Sequence, residues 1–298
     1  MKDEEKWREA GRIAAKVRTE LTSMVRPGVS LLNMCEKGEQ RIKELGGGPA
    51  FPINLSPNEI AAHYTSPPNG KWKAKEGVLK IDVGVQKEGF IGDTAISVPL
   101  GTPSKVMKKG LKAINEILEY TIAGIKEGVR VKTISRKIQT KAHELGFGVM
   151  KDLNGHQIKR GQLHAEITIP NVPSAFHNNK LRKGMVLAIE PFIALGRKDG
   201  KTHSRRDLLP IYSVKPDARF RSPFLSKIKR KYSSLPLAVR WLVNGWSKEE
   251  VIQNLSELAT KGMVKVYPVL EETRGRLVLH KEHTVLVRSN SAEILTKP

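Results

Sequence analysis

Apolar residues recur every four positions at Ile13, Val17, Leu21 and Val25, which predicts a helix near the start of the chain. Pro27-Gly28 interrupts it. Leu31, Leu32, Ile42 and Leu45 mark a second helix, which Gly46-Gly47-Gly48-Pro49 ends. Residues 51–64, with Pro52 and Pro57, read as irregular. The pattern then becomes strand-like. Residues 78–85 and 89–96 read as two antiparallel strands joined by a turn at Lys87, Glu88 and Gly89. Amphipathic helices follow over 106–125 and 131–145. Two very apolar runs, 185–189 and 284–287, each abut a glutamate: Glu190 and Glu282.

The segment 76–82 echoes 183–190: a charged residue, a glycine, an apolar strand, an acid. A helix pair precedes the first strand set and another lies between the two echoing segments. This predicts a pseudo-twofold α+β fold with a site between its halves. Glu190 and Glu282 are separated by 91 residues, far more than a direct return between strands needs. Within that stretch 225–232, 237–242 and 251–258 read as helical, the last after the cap-like Ser247-Lys248-Glu249-Glu250.

A chain of 298 residues with 39% hydrophobic content is ample for a large core. There is no apolar run long enough to span a bilayer and no apolar leader in the first ten residues, so no membrane partner and a cytoplasmic location are expected. Cys35 is the only cysteine, which excludes an intrachain disulfide; it reads as a small buried helix residue. The net charge is +22, and residues 198–240 alone carry twelve basic and three acidic groups. The run Lys227-Ile228-Lys229-Arg230-Lys231 is the densest. Such an excess either solubilises the surface or favours polyanions, with ribosomal RNA the candidate.

The candidate chemistry lies in five residues: Asp82, Asp93, His156, Glu190 and Glu282. Asp82 and Asp93 on adjacent strands can aim at one point. Four carboxylates facing one interior repel unless cations neutralise them. Four oxygens-bearing residues and one imidazole suit two hard or borderline divalent metals, such as Co(II), Mn(II), Fe(II) or Zn(II), and not a structural zinc.

Lys80-Ile81-Asp82-Val83-Gly84, Asp93-Thr94-Ala95, Asn154-Gly155-His156-Gln157-Ile158, Ala188-Ile189-Glu190-Pro191-Phe192 and Glu282-His283-Thr284 together resemble the methionine aminopeptidases of metallopeptidase family M24. The likeness is to the type II branch in its short archaeal form, and it runs from about residue 5 to the C-terminus. It implies the "pita-bread" fold, with a catalytic domain from 1–197 and 263–298 and an inserted helical subdomain at 198–262. It implies removal of the initiator methionine from nascent proteins with a small second residue, by a water or hydroxide bridging two metals. In the family's arrangement Asp82 holds one metal, Asp93 and Glu282 bridge the pair, and His156 and Glu190 complete the other. Glu190 also moves a proton. His63 and His164 match histidines that hydrogen-bond the scissile peptide, and Phe51 and Tyr267 match the walls of the methionine slot. A monomer is expected.

One place departs from the pattern. Many members have Gln-Phe before the last Glu-His-Thr; here the pair is His280-Lys281. In a regular strand His280 shares a face with Glu282 and becomes a supporting partner of a metal ligand, while Lys281 points away. His143, His177, His203 and His283 match no site role. Two other readings stay open: a proline-specific dipeptidase or aminopeptidase, and a catalytically inactive relative that binds ribosomes or RNA.

Overall fold

The structure is a computed structural model that describes residues 2–219 and 222–297. Its helices are α1 (Lys2–Ser23), α2 (Leu31–Glu44), α3 (Lys105–Ala123), α4 (Val131–Glu144), α5 (Pro223–Tyr232) and α6 (Lys248–Thr260). Serines begin several of them, with Ser247 the one expected from the sequence. Ser30 and Ser104 accept from backbone N–H groups at Asn33 and Met107, and Ser247 with Glu250 forms a reciprocal capping box. The apolar stripe of α1 is buried: Ile13, Val17 and Leu21 are each at most 7% exposed.

The halves repeat with an offset of one hundred residues. α2 spans 31–44 and α4 spans 131–144. The turns before them carry Gly28 and Gly128, at φ +84° and +80°. Each pair packs on its own apolar core. Leu21, Met34 and Ile42 join Leu79, Ile81 and Val83 in the first. Ile114, Ile117 and Ile134 join Leu187, Ile189 and Val285 in the second. A third cluster, with Phe51, Phe90, Ile158, Ala188 and Leu286, closes the seam between halves.

The first half is built on the hairpin Gly77–Lys87 and Phe90–Leu100. Its two-residue turn has Glu88 at φ +52° and Gly89 at +86°, the type I′ geometry that matches strand twist. The second half has a sheet in the order Ala292–Ile294, His283–Val287, Val186–Ile189, Asn154–Ile158, Thr168–Pro170. The stretch 51–64, expected to be irregular, contains the short strands Asn54–Pro57 and Ile60–Ala62. Edge pairing overrides the prolines there: Asn54–Pro57 lies against Gly77–Lys87, and Pro57 ends the strand.

The excursion after Glu190 leaves and returns as paired strands. Thr202–Arg205 pairs with Val269–Glu272, which also pairs with Ile60–Ala62. Ile211–Val214 pairs with Val264–Tyr267. Beyond them Phe224, Leu225, Ile228, Leu237, Val251, Leu255 and Leu258 form a separate cluster. The helix expected at 237–242 is a single 3-10 turn, Val239–Trp241. Leu237 there pairs with Tyr212 in an isolated bridge, which holds the preceding backbone extended.

The cluster is fastened to the first half by a buried ion pair. Arg240 meets Glu39 of α2 and also donates to Thr65 Oγ1 (2.5 Å) and the Ser66 carbonyl (3.0 Å). Trp241 Nε1 donates to the other Glu39 oxygen at 2.7 Å. Cys35 lies beneath this contact, fully buried. Among the described residues no helix is long and apolar enough to cross a membrane.

Candidate active site

Strand register sets the site in both halves by the same device. In the hairpin Gly84 faces Asp93 and Asp82 faces Ala95, so the two aspartates are diagonal neighbours on one face. In the second sheet His156 faces Ala188, which puts Glu190, two residues on, diagonal to His156. Glu282 joins from a bend between strands. Its N–H donates to the Ala95 carbonyl at 3.0 Å, and Thr94 Oγ1 donates to its carbonyl at 2.9 Å. Thr284 Oγ1 accepts from the Asp93 N–H at 2.8 Å. These bonds tie the Glu282 segment to the strand that carries Asp93.

All nine residues singled out in the sequence line one cavity of about 380 Å³: Phe51, His63, Asp82, Asp93, His156, His164, Glu190, Tyr267 and Glu282. His156 Nε2 lies 3.6 Å from Asp93 Oδ2 and 3.5 Å from Glu190 Oε1. Burial drives the electrostatics. It pushes Asp82 up to about 7, against a weak opposing hydrogen bond from Asn54. Burial and then the charge of Asp82 raise Asp93. Burial, Asp93 and Asp82 raise Glu190. Glu282 is raised by burial and by the same acids, with buried Arg18 opposing. Burial lowers His156 to about 4, leaving a neutral imidazole.

These groups fit divalent cations. Asp82 Oδ1, Asp93 Oδ1 and Glu282 Oε1 are buried and find no hydrogen-bond partner in the protein. Asp93, His156 and Glu282 bring ligand atoms within 4.8 Å of one another. Crowded acids that lack donors gain most from a cation that several of them share.

The wall opposite carries the aromatic residues. His63 is held at φ +65°, a strained conformation for a residue with a side chain. Its Nδ1 lies 3.0 Å from the Pro268 carbonyl, which can only accept, so Nδ1 carries the proton and Nε2 is an acceptor. Tyr267 meets His63 edge-on at 5.9 Å and stacks on His164 at 5.7 Å. The His164 ring is 4.3 Å from His156. Burial lowers His63, and burial with the neighbouring His156 lowers His164, so both are neutral near pH 7. Phe51 packs where Gly84 leaves room; a Cβ on Gly84 would lie 2.1 Å from its ring. No larger residue at 84 leaves that ring in place.

Sequence reasoning missed several contributors. Asn54 faces Asp82 across the strands and donates to its Oδ2 at 3.3 Å. Lys265 lines the cavity with its ammonium 4.6 Å from the Tyr267 ring centre. Off the cavity wall, Lys80 is 1% exposed, donates to the Asn58 and Val278 carbonyls, and burial lowers it to about 7. Its alternation with Asp82 in an apolar strand was the available signal. His280 lies at the site, but not in the regular strand expected: Val278–His280 pairs with Phe192–Ala194, and a new strand starts at His283. Among the others, His143 bonds Asp199 at 2.8 Å and His283 bonds Thr296 at 2.9 Å, away from the cavity.

A buried cluster of carboxylates with the neutral imidazole of His156 on one cavity defines a metal-dependent hydrolase. The chain belongs to metallopeptidase family M24, whose model matches residues 5–224. Within it, the similarity is to methionine aminopeptidases. That of Pyrococcus abyssi is 43% identical over 300 residues, covering 99% of this chain and 100% of the relative. A solved methionine aminopeptidase from Thermotoga maritima superposes with a TM-score of 0.72 at 26% identity, covering 99% of this chain and 96% of that one. A prolidase from Pyrococcus furiosus shares the fold alone: TM-score 0.64, 17% identity, covering 100% of this chain and 64% of that one. The fold is thus the pita-bread fold, with a helical excursion.

Proposed function

We propose that the protein removes the initiator methionine from nascent polypeptides whose second residue is small. The observation that carries this reading is the convergence of the carboxylate cluster, two neutral histidines and an aromatic slot on one cavity. Asp82, Asp93, His156, Glu190 and Glu282 would hold two divalent ions, Co, Mn, Fe or Zn. When bound, such ions supply a water of lowered pKa and a Lewis acid. Glu190, raised by burial and its neighbours, takes the proton of the attacking water and returns it to the leaving amine. His63, with Nε2 as acceptor, receives a hydrogen bond from substrate N–H. His164 hydrogen-bonds the oxygen that gains charge at the scissile carbonyl. Phe51 and Tyr267 wall the methionine slot, since a thioether favours polarizable aromatic surfaces. The division into catalytic parts 1–197 and 263–298 and an insert at 198–262, a monomeric state and a cytoplasmic location belong to the same reading.

The test is methionine release from a Met-Ala-Ser peptide by chelator-treated protein, titrated with each of the four metals. Activity should return with at least one; silence with all four would sink the reading. His63→Ala and His164→Ala should each lower turnover by about 10²–10³ while the purified variants keep their full metal content. Metal loss in either variant would make that histidine a ligand instead.

Association with ribosomes through Lys227, Lys229, Arg230 and Lys231 is part of the proposal. On α5 the apolar Ile228 is buried, as its pattern requires. Lys229 is committed locally, donating to the Pro216 and Ala218 carbonyls at 3.0 Å, and Lys227 lies over the Trp246 ring at 4.2 Å. Arg230 and Lys231 are exposed. Replacing all four with glutamine should weaken ribosome co-sedimentation most at low salt, with peptide hydrolysis unchanged. Equal sedimentation of parent and variant would end this part of the proposal.

A further inference from the structure

We infer that His280 is a sixth metal ligand, adding a second imidazole to the centre. The inference rests on the proposed metal site and extends its donor set. His280 is 2% exposed, and its Nε2 has no hydrogen-bond partner in the protein. That nitrogen lies 3.7 Å from Glu190 Oε2 and 3.8 Å from Glu282 Oε2. Both distances are too long for hydrogen bonds. Donors that each sit about 2.0–2.2 Å from a shared ion are roughly 3–4 Å apart. The spacing is that of co-ligands.

The arrangement around Glu190 is two-sided. Its Oε1 faces His156 Nε2 at 3.5 Å, and its Oε2 faces His280. The ligand atoms accordingly fall into two sets, each within 4.8 Å: Asp93, His156 and Glu282, and Glu190, His280 and Glu282. Glu282 is common to both, and each set has its own imidazole. His280 is also fixed for the task. Its ring stacks on Phe192 at 3.8 Å and 13°, and its backbone N–H and carbonyl are both tied to Ser97 Oγ at 2.8 Å. His280 is not among the residues that line the cavity, while its Nε2 faces oxygens of Glu190 and Glu282, so that nitrogen would address a bound ion and not the substrate. A second imidazole shifts the preference from Mn(II), which favours oxygen donors, toward Zn(II), Co(II) and Fe(II).

The experiment is X-ray absorption at the zinc edge on the full-length protein loaded with Zn(II), comparing parent with His280→Gln and His280→Asn. Outer-shell imidazole scattering should report two imidazoles per centre in the parent and one in each variant. Zn(II) affinity, by competition with a chelator, should fall at least ~10-fold, with a smaller change for Mn(II). A supporting residue also costs about 10–100-fold in affinity, so the imidazole count decides. Circular dichroism identifies a variant that has not folded, and the other then serves. One imidazole in parent and variants alike would overturn the assignment of His280 and leave the five-residue centre standing. A parent that retains no metal would overturn both.

Discussion

Asp93→Ala should leave less than about a hundredth of the parent's peptidase activity, a barrier increase of at least ~2.7 kcal/mol. Asp93 is 3% exposed, faces His156 at 3.6 Å, and has one oxygen without a partner in the protein. Its charge raises both Glu190 and Glu282. The same variant should be no less stable than the parent when both are metal-free. Raised carboxylates such as Asp82, shifted from 3.8 to about 7, favour folding in their protonated form. That contribution is full below about 4 and is lost as pH rises toward 7. The metal-free parent should therefore lose stability over that window, and Asp93→Ala should lose less. Melting curves with and without metal from pH 4 to 8 check both statements. Residual activity above about a tenth of the parent's would remove Asp93 from the metal site.

Arg240→Met should destabilise the protein by about 3–5 kcal/mol, because it leaves Glu39 buried without its cation. The two side chains are 4% and 8% exposed, so solvent screens them little. The loss should be felt at the cavity. Ile211, Pro236, Lys265 and Tyr267 all come from the excursion that Arg240 fastens. Hydrogen exchange should quicken across α5 and α6, and KM should rise more than kcat falls, since the carboxylates sit in the other two elements of the fold. A loss under about 1 kcal/mol would show that the apolar contacts alone hold the excursion in place.

The acids that share the cavity were readable because each ends or interrupts an apolar strand, where a carboxylate has no packing reason to be. The hairpin was readable from Glu88-Gly89 between alternating segments. The two helix pairs and the pseudo-twofold were readable, but not their regular offset of one hundred residues, because α2 and α4 share burial and turns but few residue types. Leu237 to Leu242 misled because six residues, five of them apolar around Arg240, are too few to show a period; the bridge from Leu237 to Tyr212 decides the shape. His280 was expected beside Glu282 along a regular strand; it reaches that neighbourhood instead by an irregular path, between the strand that ends at His280 and the one that starts at His283, which no strand pattern encodes. Asn54 and Arg240 could not be found, since their roles depend on partners 28 and 201 positions away.

The paired strands at the neck of the excursion have an evolutionary consequence. Thr202 faces Glu272 and Ile211 faces Tyr267, so the two ends of the excursion emerge side by side. Lengthening, trimming or exchanging what lies beyond the neck changes the closure entropy only slowly with loop size. None of the four acids and the His156 imidazole that would bind metal lies on it. Changes to the module can therefore reshape the cavity wall at Tyr267 and its neighbours without touching the acids and His156. The wall of the cavity and its acid cluster can thus vary independently of each other.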